Sequence, residues 1–422
     1  MDKNTGTFSI TDSNVFKIKM LNWVSRFSIF CFLDNSHYPS ADNNFECILA
    51  AGSKRSVTLT PGNAFEALKD FYEEEPGWLF GHLGFEINND QPFLLSDDSF
   101  PDGFFFSPEI LLRLTKNELI VEISKGNAID LYNSINETDL HFLPINNTAA
   151  IHPRLTKSEY ISIIEKIRKH IKRGDCYELN FCQQFFSENT IIDPLSVFKK
   201  LQKFSPNPFS AFYKVNNNFC MCASPERFLK KTGQQLMSQP IKGTSKRDDD
   251  PYVDEANKRY LKASAKEKSE NVMVVDLVRN DLSKICLEGT VFVEEIFGIY
   301  SFPQVHQMIS TIKGLIPQDV HWTKALSATF PMGSMTGAPK KRVIELIKKY
   351  ENKKRGLFSG SIGYITPYSD FDFNVVIRSI FYNKVSRYVS FWAGGGITFY
   401  SDPELEYEEC MVKAKAMWEV LK

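Results

Sequence analysis

The sequence predicts an α+β fold, with two mixed, mainly antiparallel sheets flanked by helices. Three observations lead there. Apolar runs of strand length follow one another in the first third of the chain with a single helix among them. Capped amphipathic helices and strands then intermix in the remainder, without the regular strand-helix alternation of βαβ units. No internal repeat or low-complexity segment interrupts the pattern. At 422 residues, 43% hydrophobic and 24% charged, the chain has enough material for a sizeable core.

The elements follow in order. Phe27–Leu33, Cys47–Ala51 and Ser56–Thr60 have strand length, and Pro61-Gly62-Asn63 opens a helix from Ala64 to Tyr72. Trp78–Phe85 is strand-like. Asn88 to Pro108, rich in Asp, Asn, Ser, Pro and Gly, reads as an irregular loop, and strands resume at Glu109–Leu114 and Glu118–Ile123. Polar, Asn-rich sequence between Asn133 and Ala150 divides the chain into an N-terminal region (1–150) and a second region (151–422). There, Thr156-Lys157-Ser158-Glu159 is a capping pattern before a helix with apolar Tyr160, Ile161, Ile164, Ile167 and Ile171. Tyr177–Phe181 alternates as a strand does. A helix over Asp193–Phe204 precedes strands at Phe209–Lys214 and Asn218–Ala223 and a hairpin region from Glu226 to Lys242.

Composition excludes several function classes. The net charge is −1 with Lys and Arg spread along the chain, so no nucleic-acid or membrane patch is expected. The eight cysteines fall mostly in apolar runs without repeated CxxC spacing, as buried reduced thiols do. The seven histidines form no HxxxH or HExxH pair, which argues against zinc. The segment Met1 to Ser13 lacks an apolar leader core, and no run of 18 apolar residues occurs. A soluble cytoplasmic protein is the expectation.

The stretch from Ser224 to Arg247 concentrates the chemistry. Lys242 stands between Ile241 and Gly243-Thr244, where an apolar wall would lower its pKa and make it a nucleophile or base. Glu226, at a strand-to-turn position, could stay protonated and act as an acid. A structural ion pair between the two is the competing reading. Glu267 and Glu270 share one face of a long helix predicted from Lys262 to Leu282, and Glu406 and Glu409 repeat that spacing on the last helix. Together they would offer Mg²⁺ an oxygen-only ligand set, although such pairs also decorate solvated faces. Pro331–Lys340, with Ser334 and Thr336, leads into a helix and suits an anion. Gly394, Gly395 and Gly396 after a strand allow backbone contact with a carboxylate. Arg378, set in an apolar strand, wants a planar anion or an internal salt bridge. His306 is either a core histidine or a site residue.

These motifs in this order, SPERF, PIKGT, KEKSENVMVVDLVRNDL, MGSMTGAPK, GLFSGSIGY, VIRS, AGGGIT and the closing ExxE helix, resemble the chorismate-utilising enzymes from about Ser158 to Leu421. The resemblance implies the anthranilate synthase component I-like fold. Within that family the residue after Pro-Ile divides activities, Ala marking anthranilate synthases and Lys marking aminodeoxychorismate synthases. Lys242 therefore implies amine transfer to chorismate for p-aminobenzoate and folate synthesis, with anthranilate synthesis or a non-catalytic chorismate-binding subunit as alternatives. The resemblance implies Mg²⁺ on Glu270 and Glu409, with Glu267 and Glu406 nearby. It assigns the ring carboxylate to Gly394–Gly396, Ser334 and Thr336, and the enolpyruvyl end to Arg378 and Tyr364. Lys242 would attack ring C2 while Glu226 protonates the departing C4 hydroxyl, and His306 matches a family histidine. No amidotransferase module is visible, so ammonia would come from a separate glutamine amidotransferase subunit. Leu33-Asp34-Asn35-Ser36 sits where relatives carry an element of an amino-acid pocket that could hold tryptophan. Glu178 departs from the pattern: amine-transferring relatives usually have Gln there, and isochorismate-forming relatives a Lys base.

Overall fold

The structure is a computed structural model that describes residues 4–38, 45–88, 100–140, 149–303 and 305–422. Two antiparallel sheets stack face to face. The larger runs from Thr5–Ser9 through Glu118–Ile123, Ile110–Leu114, Cys47–Ala51 and Ile29–Asp34. It continues through Phe209–Val215, Asn218–Ser224, Ser379–Asn383, Tyr388–Ile397 and Glu178–Ser187 to the short edge Gly337–Ala338. The smaller runs Ile241–Lys246, Val305–Leu315, Gln235–Gln239, Arg227–Thr232, Phe371–Asn374, Ser361–Ile365, Leu79–Leu83, Gly103–Ser107 and Arg55–Leu59. Strands from both sides of residue 150 therefore pair within each sheet.

Alternation along the strands builds two cores. In Ile29–Asp34, Phe30 and Phe32 face one and Cys31 the other; Leu49 and its neighbours Ile48 and Ala50 divide in the same way. One core lies under helices Ser13–Val24, Lys157–Lys172, Pro194–Phe204, Lys340–Glu351 and Pro403–Val420. The other fills the space between the sheets and beneath helices Ala64–Glu74, Ala265–Ser283 and Trp322–Thr329. A strand buried on both faces reads as a continuous apolar run. Glu178–Ser187 is accordingly buried at nearly every position, where its sequence suggests alternation.

Several expectations need correction. Ser13–Val24 and Ala128–Asn136 are helices in a region expected to hold one. The first is masked because buried Lys17 sits on the face that carries Phe16, Met20 and Leu21. The predicted loop from Asn88 to Pro108 contains the strand Gly103–Ser107, whose three phenylalanines are buried; residues 89–99 lie outside the described ones. The expected helix Lys262–Leu282 is two helices, Pro251–Ala263 and Ala265–Ser283. Ser264 divides them and accepts the Glu267 N–H as N-cap of the second. Among the described residues no helix is long and apolar enough to cross a membrane.

A buried ion pair ties the layers together. Arg355, 1% exposed, donates through Nε and Nη2 to Glu351 at 2.8 and 2.6 Å, through Nη1 to Met335 O at 2.7 Å and through Nη2 to Asn180 O at 2.8 Å. Glu351 also accepts the Cys182 N–H at 2.8 Å. Removing one partner leaves a buried charge uncompensated. Arg355→Met is expected to cost about 3–5 kcal/mol of stability, read as a lower midpoint in urea unfolding.

Candidate active site

Lys242 and Glu226 reach one place because the chain crosses between sheets there. Asn218–Ser224 belongs to the larger sheet and Arg227–Thr232 to the smaller, so Pro225-Glu226 is the crossing. The Ser224 hydroxyl accepts the Glu226 N–H, and Glu226 O accepts the Val375 N–H, which fixes the turn. Arg378 lies at a second crossing, between Phe371–Asn374 and Ser379–Asn383, in left-handed backbone (φ 51°) rather than in the strand expected of it. Lys242 sits at a bulge: Ile241 faces Ile309 but Thr244 faces Gln307, so two residues, Lys242 and Gly243, stand against the single Met308 of the neighbouring strand. Gly243 supplies the positive φ (94°) that the bulge needs.

The electrostatics separate the two residues. Burial pushes the Glu226 carboxyl up to about 7, against the opposing pull of Ser334, Lys242, the Ile241 amide and Arg378. Lys242 behaves opposite to the sequence expectation. Burial alone would lower its pKa, but the carboxylates of Glu178, Glu270 and Glu226 outweigh it and hold the ammonium form. The contact responsible is direct, since Nζ donates to Glu178 Oε1 at 2.7 Å and bridges the two sheets. Glu178 is 2% exposed, and among the described residues its Oε2 has no hydrogen-bond partner. Arg378 makes no ion pair or side-chain hydrogen bond among the described residues, and burial lowers its pKa while Glu226 opposes that.

The glycines lie within the strand Tyr388–Ile397 rather than after it. A Cβ on Gly394 would come within 1.9 Å of Phe181 O, so backbone packing fixes that position. A Cβ on Gly396 would lie 2.5 Å from Glu178 Oε1 and 2.9 Å from Lys242 Nζ, whereas one on Gly395 would approach Glu406 Oε2 at 3.3 Å. Successive glycines thus clear the lysine on one face and the carboxylates of the last helix on the other.

The four helical glutamates face one another from Ala265–Ser283 and Pro403–Val420. Burial pushes Glu270 up to about 7, and it raises Glu267 with Glu409 adding to the effect. Glu406 is also raised by burial, with a contribution from Glu409. Lys413 neutralises Glu409 at 2.7 Å, and Lys266 lies 3.9 Å from Glu270. Among the described residues no three metal-ligating side chains converge into a formed coordination shell. The donor chemistry nonetheless fits a hard cation: several carboxylates, part-buried and repelling one another, with two lysines as partial counterions. Both lysines stand four residues from or next to a glutamate in sequence, a spacing that announces them once the glutamates are singled out.

Other predicted residues fall differently. The Ser334 hydroxyl is buried beside Glu226 without an aligned hydrogen bond, and lines a small cavity with it. The Thr336 hydroxyl donates to Met332 O at 3.0 Å, so its proton is already committed within the turn. Gly337–Ala338 pairs with Glu178–Leu179 as an edge strand, and the following helix begins only at Lys340, so the hydroxyls do not sit at a helix N-terminus. Tyr364 is not brought to Lys242. Its ring packs on Trp78 and Phe80 and lines another cavity, with Asp34, Glu46 and Asp372. Asp34 in that cavity accepts Lys17 at 2.7 Å. His306 is 1% exposed, with Nε2 3.0 Å from Asp254 and Nδ1 2.8 Å from Ser301.

A family profile for chorismate binding enzymes matches residues 34–419. The chain belongs to that family. Members with curated names include the chloroplastic aminodeoxychorismate synthase of Arabidopsis thaliana, 42% identical over 267 residues that cover 63% of this chain and 29% of that protein. Aminodeoxychorismate synthase component 1 of Salmonella typhimurium is 37% identical over 64% of this chain and 59% of its own length. The matches thus span less than two thirds of these relatives. An anthranilate synthase component I-like protein of Synechocystis is 30% identical over 82% of this chain and 73% of its own. Solved members share the fold. Anthranilate synthase component I of Streptococcus pneumoniae superposes with a TM-score of 0.76 at 24% identity, covering 90% of this chain and 93% of that one. The menaquinone-specific isochorismate synthase of Escherichia coli gives 0.78 at 18%, covering 99% and 95%.

Gly396→Ala tests the fit around Lys242. The added methyl must displace the Glu178–Lys242 pair, and a misplacement near 1 Å costs about 100-fold in rate. Activity on chorismate is expected to fall by that order while the circular dichroism spectrum stays that of the parent.

Proposed function

We propose that this chain converts chorismate and ammonia into 4-amino-4-deoxychorismate through a covalent adduct on Lys242, the amine-transfer step toward p-aminobenzoate and folate. The observation that carries this reading is a part-buried lysine 2.7 Å from the Glu178 carboxylate, with a second carboxyl, Glu226, that burial pushes up to about 7. The names of relatives at 37–42% identity support the branch.

In the first half, the Lys242 lone pair bonds to ring C2, the two conjugated ring double bonds each shift by one bond away from C2, and the C4–O bond breaks. Glu226 gives its proton to the departing hydroxyl, which leaves as water. In the second half, the ammonia lone pair bonds to C4, both double bonds shift back, and the C2–N bond breaks to release the lysine. The Glu226 carboxylate then recovers a proton from the new ammonium. Arg378, the one charged side chain of the crossing without an ion pair among the described residues, binds a substrate carboxylate. Backbone at Gly394–Gly396, with Ser334, receives the other.

Mg²⁺ would be held by Glu270 and Glu409 with Glu267 and Glu406, and when bound it would neutralise the ring carboxylate and draw electron density from the ring. Lys266 and Lys413 would have to swing aside as it enters. Ammonia would come from a separate glutamine amidotransferase, as the component 1 name of the Salmonella relative suggests. A cytoplasmic location agrees with the eight cysteines, seven of which are buried and none of which forms a disulfide among the described residues.

Product identification tests the reading. The purified chain with chorismate, Mg²⁺ and an ammonium salt should yield aminodeoxychorismate by mass spectrometry, and Lys242→Ala should abolish it. Anthranilate or isochorismate as the main product would overturn the assignment. The pH profile tests the acid. Because Glu226 must carry a proton and its pKa is about 7, kcat should decline as pH rises through that value. Glu226→Gln should remove this limb and lower kcat about 100-fold or more.

A further inference from the structure

Lys242 is an ammonium ion in the resting site, and an ammonium has no lone pair with which to attack. The proton must leave Nζ before a bond to carbon can form, so a group at hydrogen-bond distance has to take it. Three carboxylates dominate the charge around Nζ: Glu178, Glu270 and Glu226. Among the described residues only Glu178 hydrogen-bonds the ammonium, at 2.7 Å, and neither Glu270 nor Glu226 makes an ion pair with it within 4 Å. Glu226 is also required as the acid at the far end of the conjugated diene. If it took the lysine proton it would first have to lose its own.

Glu178 has two further properties that suit a temporary proton holder. Its Oε2 is buried with no donor, so the pair leaves half of the carboxylate's hydrogen-bonding capacity unmet in a low-dielectric setting. Transfer of one proton along the existing hydrogen bond converts a buried ion pair into a neutral acid and a neutral amine, with no atom required to move far. Second, the pair is closely enclosed. The Glu178 backbone is held in the sheet opposite Ala338, and there is no room for even a methyl group between Gly396 and the Oε1 and Nζ atoms.

We infer that Glu178 is a catalytic residue of this chain, the base that takes the Nζ proton as Lys242 attacks and the acid that returns it when Lys242 is released. This rests on the covalent amine-transfer reading above. In the first step an N–H bond of Lys242 breaks and an O–H bond forms at Glu178 Oε1. The freed lone pair makes the N–C2 bond, and the C4–O pair leaves with the Glu226 proton as water. In the second step ammonia bonds to C4, and the C2–N pair departs with Lys242 as a neutral amine. The proton held on Glu178 then restores the ammonium. The sum is chorismate plus ammonia giving aminodeoxychorismate plus water. A glutamine here, as amine-transferring relatives usually have, keeps the hydrogen bond but cannot take the proton, so the device belongs to chains that carry the carboxylate.

The test uses the full chain with chorismate, Mg²⁺ and an ammonium salt, comparing the parent with Glu178→Gln and Glu178→Asp. In Glu178→Gln, kcat is expected to fall about 100-fold or more, with KM for chorismate within about threefold of the parent and the parent's circular dichroism spectrum. Formation of the Lys242 adduct, followed by intact-protein mass in a single turnover without ammonium, should slow by the same factor. Glu178→Asp, which keeps an acid on a shorter arm, should recover at least tenfold over Glu178→Gln. Parent-like or faster adduct formation in Glu178→Gln would overturn the inference, and so would loss confined to KM. A parent chain that forms no adduct while making product would instead sink the covalent reading itself.

Discussion

The Arg355–Glu351 pair is the interaction on which the rest of the site depends. It is buried among backbone carbonyls and amides that belong to three different segments: Asn180 and Cys182 of the strand that carries Glu178, Met335 of the turn that carries Ser334, and Arg355 itself. The backbone N–H groups of Arg355 and Gly356 in turn donate to Glu86, whose carboxyl burial pushes up to about 7. Such a pair gains little over a well-packed apolar substitute. What it does supply is registration. Three segments from distant parts of the sequence are held by charge-assisted hydrogen bonds whose geometry admits little slack. Glu178 and Ser334 are placed as a consequence.

The same logic of crossing and registration explains where the chemistry lies. Both sheets are antiparallel, and both take strands from the two halves of the chain. Glu226 and Arg378 sit where the chain passes from one sheet to the other, and Lys242 sits at a bulge on the edge of the smaller sheet. Residues at such places escape the pairing that commits their neighbours and can turn side chains into the space between layers. The glycines of Tyr388–Ile397 keep that space open from the opposite sheet.

Much of this was readable from residues. The strands of the first region appeared as apolar runs because alternate side chains enter different cores, and the capping box at Thr156 marked its helix to the residue. What escaped had physical causes. Lys17, buried against Asp34, broke the apolar face of the first helix. Three consecutive phenylalanines in Gly103–Ser107 were hidden by polar flanks. At the site, Lys242 and Glu226 stand out in the sequence and the fold brings their charges together, but the sign of the lysine's pKa shift was not legible. Its local neighbours are apolar, while the carboxylates that decide the matter come from residues 178, 226 and 270. Local sequence reports the wall of a pocket, whereas charge balance depends on what the fold brings opposite. Tyr364 shows the converse error, a motif residue whose ring the fold directs to a different cavity.

Charge balance also explains why a protonated lysine is compatible with catalysis. A neutral amine surrounded by Glu178, Glu270 and Glu226 would leave several negative charges in a buried volume with little to offset them. The ammonium keeps that volume near neutrality while the site is empty. Chorismate brings two carboxylates, which favour the ammonium further, so the substrate alone makes the nucleophile less available. Positive charge from Arg378, and from a cation if the helical glutamates hold one, would act in the other direction, offsetting the same anions and lowering the cost of letting the lysine proton go. On the proposed reaction, substrate, cation and lysine proton would be linked through one electrostatic sum, and a lysine held as an ammonium in the resting site would become a nucleophile only as that sum is completed.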